Sequence, residues 1–459
     1  MYCILKGHDF VNEIQTMTQV FYPNEKFIRV ASVPEDGITA VSELSGGVCR
    51  SLIFHDGDLK AQYQMPADDA QGVKKCMFLC LTAEEGHAPD WGILTGIRPS
   101  KLVHSMREQG RSDDEIIRHF ADEFYVTRRK AELCLRVADA ERAVIERESG
   151  EFCVYIGIPF CPSRCLYCSF PSQPIGKSPD IVDDYLAALE KELESRRNDD
   201  TFEGLPDAIY IGGGTPASLD VPRLERLLKV VDRVFPSRAE YTVEAGRPDT
   251  IDRDKLRLLK AHNVTRLSIN PQTMHDRTLE TIGRGHTRAQ FLKAFELARA
   301  EGHNNINVDL ILGLPGETAA DVKNSLEAVL ALRPENLTAH ILAVKRASRL
   351  KEELHSHKLA RDGIEEMLRI TELTAREAGM HPYYMYRQKN MLGNFENVGY
   401  SLPGFDCIYN VMIMTERQTI HAFGAGAITK TVGETIERTF NLKMAEDYIK
   451  RINDMKESR

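Results

Sequence analysis

From residue 152 to residue 344 the chain alternates short β-branched runs with helical periodicity six times, and this alternation limits the fold more than any other feature. The runs Cys153 to Ile158, Ala208 to Ile211, Glu240 to Glu244, Val264 to Ile269, Ile306 to Leu312 and Leu337 to Val344 read as strands. Helical signals fill the gaps. Ser178 and Pro179 form an N-cap and first turn, and Leu224, Leu227, Leu228 and Val231 fall at i, i+3, i+4 and i+7. Helices are also predicted from Asp252 to His262, around Asp276 and Phe291, and from Ala320 to Leu332. Such a sequence of βα units predicts an α/β fold with a parallel sheet, either open and doubly wound or curved into a partial barrel.

The flanks read differently. The first 85 or so residues mix apolar runs with turn signals, as in a small α/β piece. Trp91 to Pro99 reads as a connecting turn, and Lys101 to Glu148 as helices rich in Arg, Glu, Ala and Leu. After Val344 the expected order is a helix (Arg361 to Ala378), a Tyr-rich loop, a strand-like run (Tyr409 to Met414) and a terminal helix (Met444 to Met455). Three regions are therefore expected: 1–150, of unknown role; 151–345, the repeating core; and 346–459, a C-terminal extension that covers a substrate pocket.

Charge narrows the function. The chain has 59 Lys+Arg against 68 Asp+Glu, a net charge of −9, which argues against a general nucleic-acid or anionic-membrane binder. Lys6 and Asp9 interrupt the first apolar stretch, so no secretory signal is expected, and no run approaches the ~18 apolar residues of a membrane span. The expected location is the reducing cytoplasm. There, the clustering of some of the ten cysteines points to metal binding or catalysis rather than to disulfides.

That cluster is Cys161-Pro-Ser-Arg-Cys165-Leu-Tyr-Cys168, directly after the first strand. Three thiolates on one loop can hold a polynuclear centre. A [4Fe–4S] cluster normally takes four, so three leave one iron open for a ligand. A structural zinc site would need a fourth ligand. No histidine lies between His119 and His262, and Cys153 sits inside the strand, where packing explains it. The 3-2 spacing matches no common zinc pattern, so iron–sulfur is preferred.

The segment Tyr155 to Phe170, with Ile-Pro-Phe before the cysteines and Tyr-Cys-Ser-Phe at its end, resembles the cluster loop of radical S-adenosylmethionine (SAM) enzymes. Within them it is most similar to the oxygen-independent coproporphyrinogen III oxidases. Phrases such as Tyr-Arg-Gln-Lys-Asn resemble the coproporphyrinogen dehydrogenase branch, which has an extra N-terminal region. The resemblance implies a partial (β/α)6 radical SAM barrel holding a [4Fe–4S] cluster on Cys161, Cys165 and Cys168. It also implies a SAM pocket built from Tyr155, Tyr167, Gly213, Gly214, Thr215, Glu244, Gln272, Arg284 and Asp309. Read alone, Gly212 to Ala217 is a weak G-x-G-x-x-A fingerprint, and Pro216 makes a dinucleotide site a poor fit. Glu244 and Gln272, which leave strands, and Asp309, which lies within its strand, could singly be caps or loop hydrogen bonds. Their common placement favours a site at the carboxyl ends of the strands. Two positions depart from the family pattern: Gly157 stands where a histidine is usual, and Phe170 where a further cysteine occurs.

The implied activity is oxidative decarboxylation of coproporphyrinogen III to protoporphyrinogen IX in anaerobic haem biosynthesis. Its implied partners are the tetrapyrrole and a reducing electron donor such as flavodoxin or ferredoxin. A substrate with four carboxylates needs cations, preferably guanidinium groups, and Arg346, Arg349, Arg387 and Lys389 are the candidates. The alternative for these four is a solvated charged loop. Two other functions share the signals. One is a haem-handling protein with an axial ligand among His340, His381 and His421, and the other is a radical methyltransferase that opens haem.

Overall fold

The six expected strands form and lie side by side in chain order. The computed structural model describes residues 1–454 except 24, 97, 149, 178, 197–203, 344–362 and 388–394. The chain divides into two units, Met1–Leu135 with Arg387–Phe395, and Arg136–Tyr386 with Glu396–Arg459.

In the first unit five strands pair in the order Ile28–Arg29, Tyr2–Lys6, Ile38–Ser45, Val48–His55, Asp58–Pro66. Ile38–Ser45 turns into Val48–His55 through Gly46 and Gly47, both at positive φ as a tight hairpin requires. Helices Val11–Phe21 and Ala70–Glu85 cover the sheet and bury Ile14, Met17, Val73, Cys76, Met77, Cys80 and Leu81 with Cys3, Cys49 and Ile53. Helices Ser100–Glu108 and Asp113–Phe124 follow, and Arg128–Arg147 begins in this unit.

The second unit holds the parallel array. Its strands are, first to sixth, Phe152–Ile158, Pro206–Gly213, Glu240–Gly246, Arg266–Ile269, Ile306–Leu312 and Asn336–Ile341. They are neighbours in that sequence. A doubly wound sheet reverses its strand order at a switch point, and this one does not. Right-handed crossovers that all step the same way place their helices on one face, which is barrel winding. The array does not close: Thr419–Phe423 adds a parallel strand beside the first, and antiparallel strands complete both sides.

Two expectations need correction. The Tyr-rich segment is not a loop, because His381–Tyr386 is a strand paired antiparallel to Asn397–Ser401. Tyr409 to Met414 is not a strand, because it lies in the helix Ile408–Thr415. A short run that is apolar throughout carries no period to separate the two states. Here an electrostatic contact decides. The Glu240 carboxylate accepts from the backbone N–H of Ile408 (3.3 Å) and Tyr409 (3.4 Å) and from the Cys407 thiol (3.2 Å), so an anion sits at the N-terminus of this helix.

Strand alternation sorts the array. Val154, Ile156, Ile209, Ile211, Val243, Leu267, Val308 and Leu337 are buried on one face, where helix residues such as Leu224, Leu228, Leu256 and Phe291 can cover them. Tyr155, Tyr210, Glu240, Glu244, Arg266, Ser268, Asn307, Asp309 and Thr338 occupy the other phase. Glu240 and Arg266 form a buried pair, with Arg266 Nη2 3.1 Å from the carboxylate and 2.7 Å from the Phe405 carbonyl.

Removing one member of such a pair leaves an uncompensated buried charge, a loss of about 3–5 kcal/mol. Glu240→Ala should therefore lower the urea midpoint sharply, whereas the double change Glu240→Met with Arg266→Met should recover most of the loss. If the double variant were no more stable than the single one, the buried-charge account of this contact would fail.

Candidate cofactor site at the carboxyl ends of the strands

The cysteine loop leaves the end of the first strand and is tied down along its length. Phe160–Cys161 pairs in parallel with Gln173–Pro174. The Leu166 N–H donates to the Ile282 carbonyl (2.9 Å), and the Cys168 N–H to the Cys165 carbonyl (3.2 Å). Cys165 is buried, while Cys161 and Cys168 are partly open. None of the ten cysteines forms a disulfide. Cys153 is buried in its strand, and its thiol donates to Gln418 Oε1 (3.3 Å), in keeping with a packing role.

Among the described residues no three His, Cys, Asp or Glu side chains gather closely enough to hold one metal ion. A cubane cluster does not require that, since its thiolates bind separate irons. Burial, then the neighbouring thiols Cys165 and Cys161, push the Cys168 thiol up, while the Phe170 backbone and the Arg284 charge pull it down. Two side chains donate to the loop sulfurs: Thr215 Oγ1 to Cys161 Sγ (3.5 Å) and Arg284 Nη1 to Cys165 Sγ (3.8 Å). Arg284 also donates to the Tyr167 hydroxyl (3.1 Å) and the Asn270 carbonyl (2.8 Å).

The glycine loop lies against the cysteine loop. Gly214 N–H donates to the Ile158 carbonyl (2.8 Å) and Thr215 N–H to the Phe160 carbonyl (2.7 Å). Gly213 has φ +106°, which side chains avoid, and a Cβ on Gly214 would stand 2.5 Å from the Phe160 oxygen. The two loops meet backbone to backbone, and only glycine permits it.

Beyond them the polar face of the sheet carries two groups of joined side chains, one around Glu244 and one around Asp309. The Tyr210 hydroxyl donates to Glu244 (2.5 Å), and Tyr210 stacks on Tyr409 (4.6 Å between ring centres), with Tyr155 beside both. Ser268 donates to Asn270 Oδ1 (2.8 Å), and Asn307 Nδ2 donates to Ser268 (2.8 Å) and Asp309 (2.7 Å). Thr338 donates to Asn307 Oδ1 (3.1 Å). His340 lies 3.6 Å from Asp309 and 3.1 Å from the Tyr386 hydroxyl. Burial, with the Asp309 charge adding, pushes the Glu244 carboxyl up to about 7 against the pull of the Tyr210 hydroxyl. Burial and the Arg284 charge push His286 down to about 3, so its ring stays neutral.

Gln272 holds a left-handed backbone (φ 69°), fixed by its N–H to the Asp309 carbonyl (3.0 Å) and by Ile311 N–H to its own carbonyl (2.9 Å). Its buried Oε1 has no partner among the described residues, and neither has the buried Nε of Arg284. Buried polar atoms are nearly always hydrogen-bonded, so these two stand ready to bond a bound group. Together with the glycine contact, they make these residues a fit for a polar cofactor beside the cysteine loop.

The second unit thus carries every sequence-predicted residue of the cluster loop and cofactor pocket. The substrate cations fare differently. Arg387 belongs to the first unit, where it is buried, lies over the Trp91 ring (4.7 Å) and donates to the Leu94 carbonyl. Arg346, Arg349 and Lys389 lie outside the described residues. His381 pairs with Asp406 (3.0 Å), and His421 packs edge-on to Phe152. Sequence reasoning missed Tyr210, Ser268, Asn270 and Asn307. Their signal was available, since each is a polar residue in strand phase with Glu244 or Asp309.

Comparison with known proteins gives a consistent picture. Residues 155–329 match the Radical SAM superfamily. The oxygen-independent coproporphyrinogen-III oxidase-like protein HemZ of Bacillus subtilis is 41% identical over 77% of this chain and 72% of its own length. The heme chaperone HemW of the same organism is 34% identical over 64% of this chain and 74% of its own. Among solved structures, coproporphyrinogen III oxidase (HemN) from Escherichia coli shares the fold, with a TM-score of 0.55 and 23% identity over 69% of this chain and 72% of that one.

The Glu244 carboxyl supplies a pH test. Its folded pKa of about 7 lies above an unfolded value near ~4.3, so the folded state holds the proton more tightly. That contribution is complete below the unfolded value and is lost as pH rises through about 7. Glu244→Gln stays neutral and loses nothing. The melting temperature of the variant relative to the unmutated protein should climb between pH 5 and pH 8 in the absence of cofactor, and a flat difference would contradict the assignment.

Proposed function

The chain belongs to the oxygen-independent coproporphyrinogen III oxidase-like family of the radical SAM superfamily, and from that premise we propose that it oxidatively decarboxylates coproporphyrinogen III. The observation that carries the reading is the pairing of a three-thiol loop with a pocket holding unmet polar atoms at Gln272 and Arg284. The superfamily uses a [4Fe–4S] cluster and SAM. Once bound, they supply a strong one-electron reductant and an organic radical able to take hydrogen from an unactivated carbon.

The residues of this chain bind and orient. Cys161, Cys165 and Cys168 would hold the cluster. Thr215 donates to Cys161 Sγ and Arg284 to Cys165 Sγ, contacts that would steady the thiolates and tune the potential. Gly213 and Gly214 let backbone groups approach the amino-acid part of SAM, while Gln272 Oε1 and the Glu244 and Asp309 carboxylates offer acceptors to its polar groups. Tyr155, Tyr210 and Tyr409 close the floor beneath Glu244 with stacked rings, which keeps water from that side. Arg346, Arg349 and Lys389 are the cations proposed for the propionates, whereas Arg387 is assigned to packing.

HemW sets a second reading, a haem-handling role. The greater identity with HemZ, and the greater share of this chain that it matches, favour the oxidase. A cytoplasmic site of action and a flavodoxin or ferredoxin donor fit this proposal. Among the described residues no helix is long and apolar enough to cross a membrane.

The separating experiment is anaerobic incubation of the reconstituted protein with coproporphyrinogen III and, separately, with haem. Vinyl product and CO₂ are expected from the first. Haem retained unchanged, with no vinyl product from coproporphyrinogen, would transfer the protein to the haem-handling class, and an opened haem to the methyltransferases. In the same assay Asp309→Ala should weaken SAM binding while cluster iron stays at the unmutated level.

A further inference from the structure

Ser163 lies midway between Cys161 and Cys165, and a buried guanidinium reaches it from another strand. Arg247, just past the end of the third strand, is 2% exposed. Its Nη1 donates to Ser163 Oγ (2.6 Å) and lies 3.4 Å from the Ser163 carbonyl. Nε and Nη2 form a two-pronged contact with Asp249 (2.9 and 2.6 Å). Every nitrogen of the fork is engaged. Room for it comes from Gly285, where a Cβ would stand 2.4 Å from Nη2.

The same turn supplies the other attachments of the loop. Ile282 accepts from the Leu166 N–H, Arg284 donates to Cys165 and Tyr167, and the buried His286 follows. The loop is thus held on both sides of Cys165, by Arg247 at Ser163 and by the 282–284 turn at Leu166 and Tyr167.

A buried ion pair is poor evidence of stabilisation, because desolvation offsets most of the attraction. Its value lies in direction, and a guanidinium fork fixes direction better than an ammonium can. Arg247 reaches the cysteine loop at Ser163, so it acts on the thiols through that residue. We propose that Arg247, oriented by Asp249, is a positioning residue that fixes the arc between the first two cluster ligands and so slows loss of the cluster. This rests on the cluster assignment and is independent of the substrate.

The test compares the full chain with Ser163→Ala, Arg247→Lys and Arg247→Gln, each reconstituted anaerobically. Two quantities are read: iron release to a ferrous chelator, and the melting temperature of the cluster-free protein. Loss of a partner bonded directly to a ligand costs about 10–100-fold in metal affinity, and Arg247 and Ser163 stand one step further out, so release should accelerate measurably, up to about tenfold, in all three. Ser163→Ala, the mildest change, should do so with an unaltered melting temperature. Arg247→Lys should fail to restore retention, because it keeps the charge and loses the fork. Unmutated release rates in Ser163→Ala, or full retention in Arg247→Lys, would overturn the proposal. Faster release that merely tracks a fall in melting temperature in every variant would overturn it too. If those variants retained iron normally while the unmutated protein made vinyl product, this inference alone would fall; a chain that took up no cluster would defeat both.

Discussion

The Glu240 carboxylate joins three parts of the second unit that lie far apart in sequence. It rises from the start of the third strand, pairs with Arg266 at the start of the fourth, and receives the N-terminus of the helix Ile408–Thr415. A half-barrel with a polar inner face would otherwise expose its amino end to water. The charge draws this helix against the inner face, and Tyr409 thereby comes to stack on Tyr210 and Tyr155. The floor of the pocket thus rests on a contact made two residues further down the strand, since Tyr210 is in register with Thr242.

Above that floor, the rule that buried polar groups must be satisfied shapes the site. Ser268, Asn270, Asn307, Asp309 and Thr338 satisfy one another across three strands and leave little rotational freedom. Where the network reaches the loops, the Oε1 of Gln272 and the Nε of Arg284 remain unmet. These two atoms lie beside the cysteine loop, where a bound group could meet them. Glu244, held near neutrality by burial, stands at the same edge, so its charge is poised to respond to what binds.

Much of this was legible from residue order alone. The fifth strand, Ile306–Leu312, begins and ends where its apolar run does, and the cysteines follow the first strand as their place in the sequence indicates. Period-2 apolar residues and turn residues act locally, so they survive in the sequence. What escaped was set by long-range contacts. The Tyr-rich segment became a strand because Asn397–Ser401 pairs with it, and the apolar run at Tyr409 became a helix because of Glu240. Arg387 looked like an open cation by its neighbours in sequence, yet its guanidinium lies over Trp91, almost three hundred residues earlier. The Arg247 fork was equally silent, since neither Ser163 nor Asp249 carries a spacing signal.

The central claim is that three thiols hold a cluster whose fourth iron is left for SAM. Mössbauer spectroscopy of the iron-57-reconstituted protein, recorded with and without SAM, addresses it most directly. The account predicts that one iron in four changes its signal when SAM is added, while the other three keep theirs. Four irons that stay equivalent and unmoved by SAM would contradict it.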